Sequence, residues 1–135
     1  MRTLVAPILL TAALAATSAD AACKQNFTVL GLPLLSQIEY RTSETYKGLG
    51  QTAAAKRIAA RLQAEGYFNV RRKGGVVTAL QETSGSGRPQ ELRFVVSEIS
   101  GKTTVEAMFT VQVGQIAGEK VVRNELCRLI AVAAG

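Results

Sequence analysis

Residues 103–113 alternate without a break: Val105, Ala107, Phe109, Val111 and Val113 fall on one side of an extended chain, and Thr104, Glu106, Met108, Thr110 and Gln112 on the other. A period of two sustained this long, with β-branched and aromatic residues on the apolar side, specifies a strand with one face buried and one face partly wet. Any fold that holds this strand must cover its apolar face with helices. Leu92-Arg93-Phe94-Val95-Val96 reads as its antiparallel neighbour, joined across Ser100-Gly101-Lys102.

Upstream, Tyr67-Phe68-Asn69-Val70-Arg71 and Val76-Val77-Thr78-Ala79-Leu80 read as two more strands around Lys73-Gly74-Gly75, where a positive φ is easily met. Residues 37–46 set Ile38, Tyr40 and Thr42 against Glu39, Arg41 and Ser43, a pattern that suits an edge strand. Residues 27–35 are apolar but broken by Gly31 and Pro33, which predicts a short strand and a turn. Residues 83–90, with Ser84-Gly85-Ser86-Gly87-Arg88-Pro89, form the most loop-like stretch.

Two segments have helical spacing. Residues 52–65 place Ala55, Ile58, Ala59 and Leu62 on one face and Lys56, Arg57, Arg61 and Glu65 on the other, with Thr52 as expected N-cap and Gly66 as C-cap. Residues 118–133 carry an apolar stripe of Val122, Leu126, Leu129, Ile130 and Ala133, with Cys127 on its flank. The expected fold class is α+β: two helices packed on a three- to five-stranded, mainly antiparallel sheet, with one disulfide.

Residues 1–21 have the three parts of a secretory signal peptide: Arg2, the apolar run 4–16, and Ala19-Asp20-Ala21 as the small-x-small cleavage site. The run is too short for a membrane span, which needs about 18 to 20 apolar residues, so no transmembrane segment is expected in the mature chain. Cleavage before Ala22 leaves 135 − 21 = 114 residues, enough for a single α+β domain (22–135) with an N-terminal arm (22–46) and a helix-sheet-helix core (50–133). The expected location is periplasmic or secreted.

In an oxidising compartment the two cysteines, Cys23 and Cys127, read as a bridge from the N-terminal arm to the last helix. A competing reading makes Cys23 the lipid-anchored first residue of a lipoprotein. Asp20 then stands where that signal wants a Leu-like residue, and Cys127 would be left unpaired.

The chain has 16 basic and 10 acidic residues; without Arg2 and Asp20 the balance is 15 − 9 = +6. That excess favours anionic partners such as an acidic polymer or lipid headgroups. Nucleic acid is not an expected partner: it is the least available of these outside the cell, and 5% aromatics is too few for base-stacking platforms. Arg71-Arg72-Lys73 is the densest basic cluster, and with Arg88 it makes the candidate binding set, able to grip phosphate or carboxylate groups. The simpler reading of the same residues is a charged hairpin end that keeps the sheet soluble.

Catalytic signatures are few. Histidine is absent, which excludes His-dependent triads and zinc-His sites, and no Asp follows Asp20, so Glu is the only carboxylate left in the mature chain. Glu98 and Glu106 are the one pair that could face each other across a hairpin. Gly48-Leu49-Gly50-Gln51-Thr52-Ala53 mimics a dinucleotide phosphate loop, but that motif works only after a parallel strand in a βαβ unit. No catalytic residue, metal ligand or cofactor is assigned.

The order of a helix, the Gly66-Tyr67 junction, a strand, Val76-Val77-Thr78-Ala79, two further strands and a closing helix resembles the helix-grip domains of small bacterial envelope proteins. Lipoproteins accessory to the outer-membrane β-barrel assembly machine are of this type. The resemblance covers residues 50–133, rests on pattern, and implies an assembly or binding role. The expected function is therefore an exported, non-enzymatic envelope accessory or binding protein acting through protein contacts. The alternative is a small secreted inhibitor or effector that blocks a target enzyme with a loop such as residues 83–90.

Overall fold

Side-chain parity along the strands builds the molecule. The structure, a computed structural model, describes residues 19–82 and 88–135. Six strands, β1 (Thr28–Leu30), β2 (Ile38–Lys47), β3 (Phe68–Lys73), β4 (Val76–Glu82), β5 (Pro89–Ile99) and β6 (Lys102–Val111), form one sheet in the order β1-β2-β6-β5-β4-β3. Every pairing is antiparallel. Thr103, Val105, Ala107, Phe109 and Val111 of β6 are buried with Ile38, Tyr40 and Thr42 of β2, Leu92, Phe94 and Val96 of β5, and Val77 and Ala79 of β4. The alternation thus sets the inner face as the sequence predicts.

Three helices cover that face: α1 (Ala19–Gln25), α2 (Gln51–Ala64) and α3 (Glu119–Val132). α2 lies over β3, β4 and β5, while α3 lies over β2 and β6 and touches both other helices. Ala54, Ala55, Ile58 and Leu62 seat α2, and Val122, Leu126, Leu129 and Ile130 seat α3, so both apolar stripes are used. The Cys23–Cys127 bridge ties α1 to α3. Thr42 on β2 reinforces the tie by donating to the Cys23 carbonyl.

The α+β class and the disulfide stand, but six strands replace the expected three to five, and a third helix precedes them. β1, three residues long between Phe27 and the breakers Gly31 and Pro33, is the short strand expected in residues 27–35, and counted with the other five it takes the sheet to six. β2 is not an edge strand: it pairs with β1 on one side and along its whole length with β6 on the other. Gly50, not Thr52, is the N-cap of α2, because the Gln51 side chain donates to the Val96 carbonyl (2.8 Å) and pins the helix start to β5.

Gly75 shows how tight that corner is. Its carbonyl accepts from Val96 N–H at 2.8 Å, and a Cβ there would collide with the Val96 oxygen. At the β5–β6 hairpin, Ser100 (φ 52°) and Gly101 (φ 74°) both take the left-handed conformation that a two-residue primed turn demands. Of the expected leader, residues 1–18 lie outside the described residues, and 19–21 open α1. Residues 83–87 of the expected loop also lie outside them, while Pro89 and Gln90 already belong to β5.

Candidate functional site

α3 is pinned at its C-terminal half. Cys127 is bridged, Ile130 and Ala133 are buried, and Arg57 Nη1 donates to the Ala133 carbonyl at 2.9 Å. Towards its N-terminus the helix entry is held by the Tyr40 hydroxyl on the Ala117 carbonyl, and α2 has already ended at Ala64. The result is an open cleft of about 390 Å³ between α3 and the sheet. Leu92 and Phe109 form its floor, Val122, Leu126 and Leu129 its helical wall, and Ala117, Gly118 and Val121 its mouth. Tyr67, Gln81 and Glu125 supply its polar groups.

A slot of this size, mainly aliphatic with a few convergent polar groups, has the character of a non-covalent binding site. Burial first, and then the carboxylates of Glu125 and Glu65, raise the Tyr67 phenol above its usual value, so it stays neutral and able to donate at physiological pH. Tyr40 steadies the mouth by donating to the Ala117 carbonyl at 3.0 Å, and its ring lies 6.0 Å from Phe27 and 6.2 Å from Phe109, centroid to centroid.

Beside the cleft, Arg128 makes a two-sided clamp. Nη1 and Nη2 meet the Glu65 carboxylate at 2.8 and 2.7 Å, and Nε and Nη2 meet Glu125 at 3.0 and 2.5 Å. The hydrogen bond from Arg128 holds the Glu65 carboxyl below its usual value. Because the folded value is depressed, the stabilisation is present above the unfolded carboxylate range and is lost as pH falls through the folded value. The pair is largely solvated, so Glu65→Gln is expected to cost under about 1 kcal/mol at pH 7. Urea melts at pH 7 and pH 3 check this: the difference between wild type and variant should shrink at the lower pH.

The expected basic cluster is divided by the pleat. Arg71 pairs with Thr78 and Lys73 with Val76, which puts both on the face away from the helices, whereas Arg72 pairs with buried Val77 and lies on the helix side. Arg88 sits at the other end of the strands: β5 starts one residue later, and six residues separate Pro89 from Val95, the partner of Val76, a span of about 20 Å. The four candidates therefore do not form one site.

What the sequence did not disclose is a row across the open face. Arg71 neighbours Thr78, then Arg93, then Met108, then Arg41, so three arginines stand at about 10 Å intervals. Glu39 and Glu91 flank the row through Thr110, and Glu39 is ion-paired with Arg41. Only the pairing register reveals such a row. Parity also separates Glu98 from Glu106: Glu98 pairs with buried Thr103 and Glu106 with Val95, so they lie on opposite faces and make no carboxylate pair. Glu44 is the only buried carboxylate among the described residues, and its Oε2 has no partner.

No family model matches this chain. None of the curated proteins matches it either. Among solved structures, the crystal structure of CalU16 from Micromonospora echinospora is similar, at 12% identity over 80% of this chain and 88% of that chain, with a TM-score of 0.48. A likeness this shallow transfers no role. Among the described residues no cluster of His, Cys, Asp and Glu could hold a metal ion, and no helix is long and apolar enough to cross a membrane.

Proposed function

We propose that the protein is an exported, non-enzymatic accessory protein of the cell envelope that works by binding another protein. The observation that carries this reading is the cleft under α3: an open apolar slot with the hydrogen-bonding groups of Tyr67, Gln81 and Glu125 at its side, suited to the side chains of a partner's segment. The bridge supports it, because a disulfide persists in the oxidising compartments outside the cytoplasm and here fixes the helix that walls the slot. Arg71 and Arg93 on the open face offer a second contact for acidic groups of the same partner or of an envelope polymer. The envelope role also agrees with the helix-grip resemblance of residues 50–133.

A photo-crosslinking residue at position 121, at the cleft mouth, tests the reading in the native host. It should capture one envelope protein, identified by mass spectrometry, that the same residue at position 99 does not capture. Filling the mouth should abolish capture. Gly118→Leu is the suitable plug, since a Cβ there meets only Val121 Cγ2 at 3.8 Å and the backbone tolerates it; at least a tenfold loss of crosslinked product is expected. Equal capture from both positions, or capture indifferent to the plug, would defeat the reading. A single soluble enzyme as the captured species would favour an inhibitor instead.

A further inference from the structure

The end of the molecule onto which the cleft opens is apolar beyond anything the core needs. The β1–β2 connection exposes Leu32, Leu34 and Leu35, the β6–α3 connection exposes Val113 and Ile116, and the first turn of α3 exposes Val121. Exposure reaches 78% at Leu35 and 82% at Ile116. Polar bonds below them draw the connections together: Gln37 Nε2 donates to Gln112 Oε1 at 3.1 Å, and Gln115 Nε2 to the Arg88 carbonyl at 3.1 Å. The six side chains thus crown one end of the sheet.

The leucine loop is built, not slack. Leu32 N–H donates to Ser36 Oγ at 2.9 Å, the N–H groups of Leu35 and Ser36 donate to the Leu32 carbonyl at 3.2 and 3.1 Å, and Ser36 Oγ donates to the Gln37 carbonyl at 3.0 Å. Gly31 lies so close to Gln37 that a Cβ would collide with its carbonyl oxygen. Leu34 has φ 68°, a conformation that a bulky residue seldom adopts without reason. The Ser36 hydroxyl and the Leu32 carbonyl are spent on the loop itself, and the leucines are exposed.

We propose that this end docks on a lipid bilayer, with the six aliphatic side chains entering the acyl boundary and Lys120 and Arg88 lying at headgroup level. The composition of the patch chooses a bilayer over a protein. Energetic centres of protein interfaces are rich in Trp, Tyr and Arg and poor in Leu and Val, whereas this patch is entirely Leu, Ile and Val. The net charge of +6 complements anionic headgroups. The inference does not rest on the reading of the cleft; the two share Val121 at the mouth, and flotation reads lipid binding separately from capture of a protein.

Flotation with vesicles of phosphatidylethanolamine and phosphatidylglycerol tests it, using the protein released by an exporting host. The wild type should float with the vesicles. The double change Leu34→Glu with Leu35→Glu, and Ile116→Glu separately, should each lower the vesicle-bound to free ratio at least tenfold. Ile99→Glu, an equally exposed apolar site (75%) at the opposite, β5–β6 end, should leave it unchanged. These substitutions fall on exposed side chains, and a melting curve for each confirms the fold. Three results overturn the proposal: no flotation of wild type, equal loss in all three variants, or binding to anionic vesicles that ignores the loop changes and disappears in high salt. A concentration-dependent dimer abolished by the loop changes would also overturn it, since a second copy would then cover the patch.

Discussion

Replacing Cys23 and Cys127 together by alanine is expected to remove about 4 to 5 kcal/mol of stability, because the bridge closes a loop spanning 104 residues and chain entropy scales with that length. Both sulfurs are buried, so the small cavities left behind add to the loss. For a domain of this size the melting temperature should fall by roughly 15 to 20 °C. Circular-dichroism melts of wild type and variant measure it directly. Because Cys23 holds α1 against α3 and Thr42, the arm that starts the sheet should exchange its amide protons sooner than β4 and β5 do in the variant. A drop of less than about 1 kcal/mol would mean that the arm is already fixed by β2 pairing with β6.

Phe94→Ala should cost about 3 to 5 kcal/mol, comparable to losing the bridge. Phe94 is fully buried at the middle of β5, directly opposite Ala107 on β6 and Val77 on β4, and Ala107 leaves the space that its ring fills. No neighbouring strand can move in to close such a hole, since each is fixed by its own hydrogen-bond ladder. Urea denaturation should show the midpoint falling with little change in slope. Ile99→Ala, at an exposed position, should change stability by no more than about 0.5 kcal/mol.

The sequence is most legible where one local rule acts alone. The alternation of β6 and the stripe of α3 follow from a period and the end of α2 from a single residue; the stripe appears as read, the alternation holds to Val111 but leaves Val113 exposed beyond the strand, and the C-cap of α2 is Glu65, with Gly66 (φ 86°) the left-handed residue after it. β2 reads as an edge strand because periodicity records which face a side chain takes and says nothing about how many neighbours the strand has. α1 is hidden because Ala19-Asp20-Ala21 also reads as a cleavage signal. The basic cluster is contiguous in sequence and dispersed in space, whereas Arg41, Arg71 and Arg93 are scattered in sequence and aligned in space. As for the cleft, its wall residues read as core, and they are core at their bases. That a cleft opens beside α3 depends on where α2 ends and where the bridge holds the helix, which no local pattern encodes.

The sheet order also bears on the chain's biogenesis. β1 and β2 come first in the sequence, yet β2 takes its place beside β6, which is the last strand made, and Cys23 waits for a thiol near the far end of the chain. As the chain is made, the β1–β2 pair therefore lacks its sheet neighbour β6 until almost all of the polypeptide exists. With only two cysteines, no wrong intramolecular pairing exists, so oxidative maturation needs a thiol oxidant and no shuffling catalyst. Its one hazard is a bond to a different molecule, made while Cys23 is still waiting.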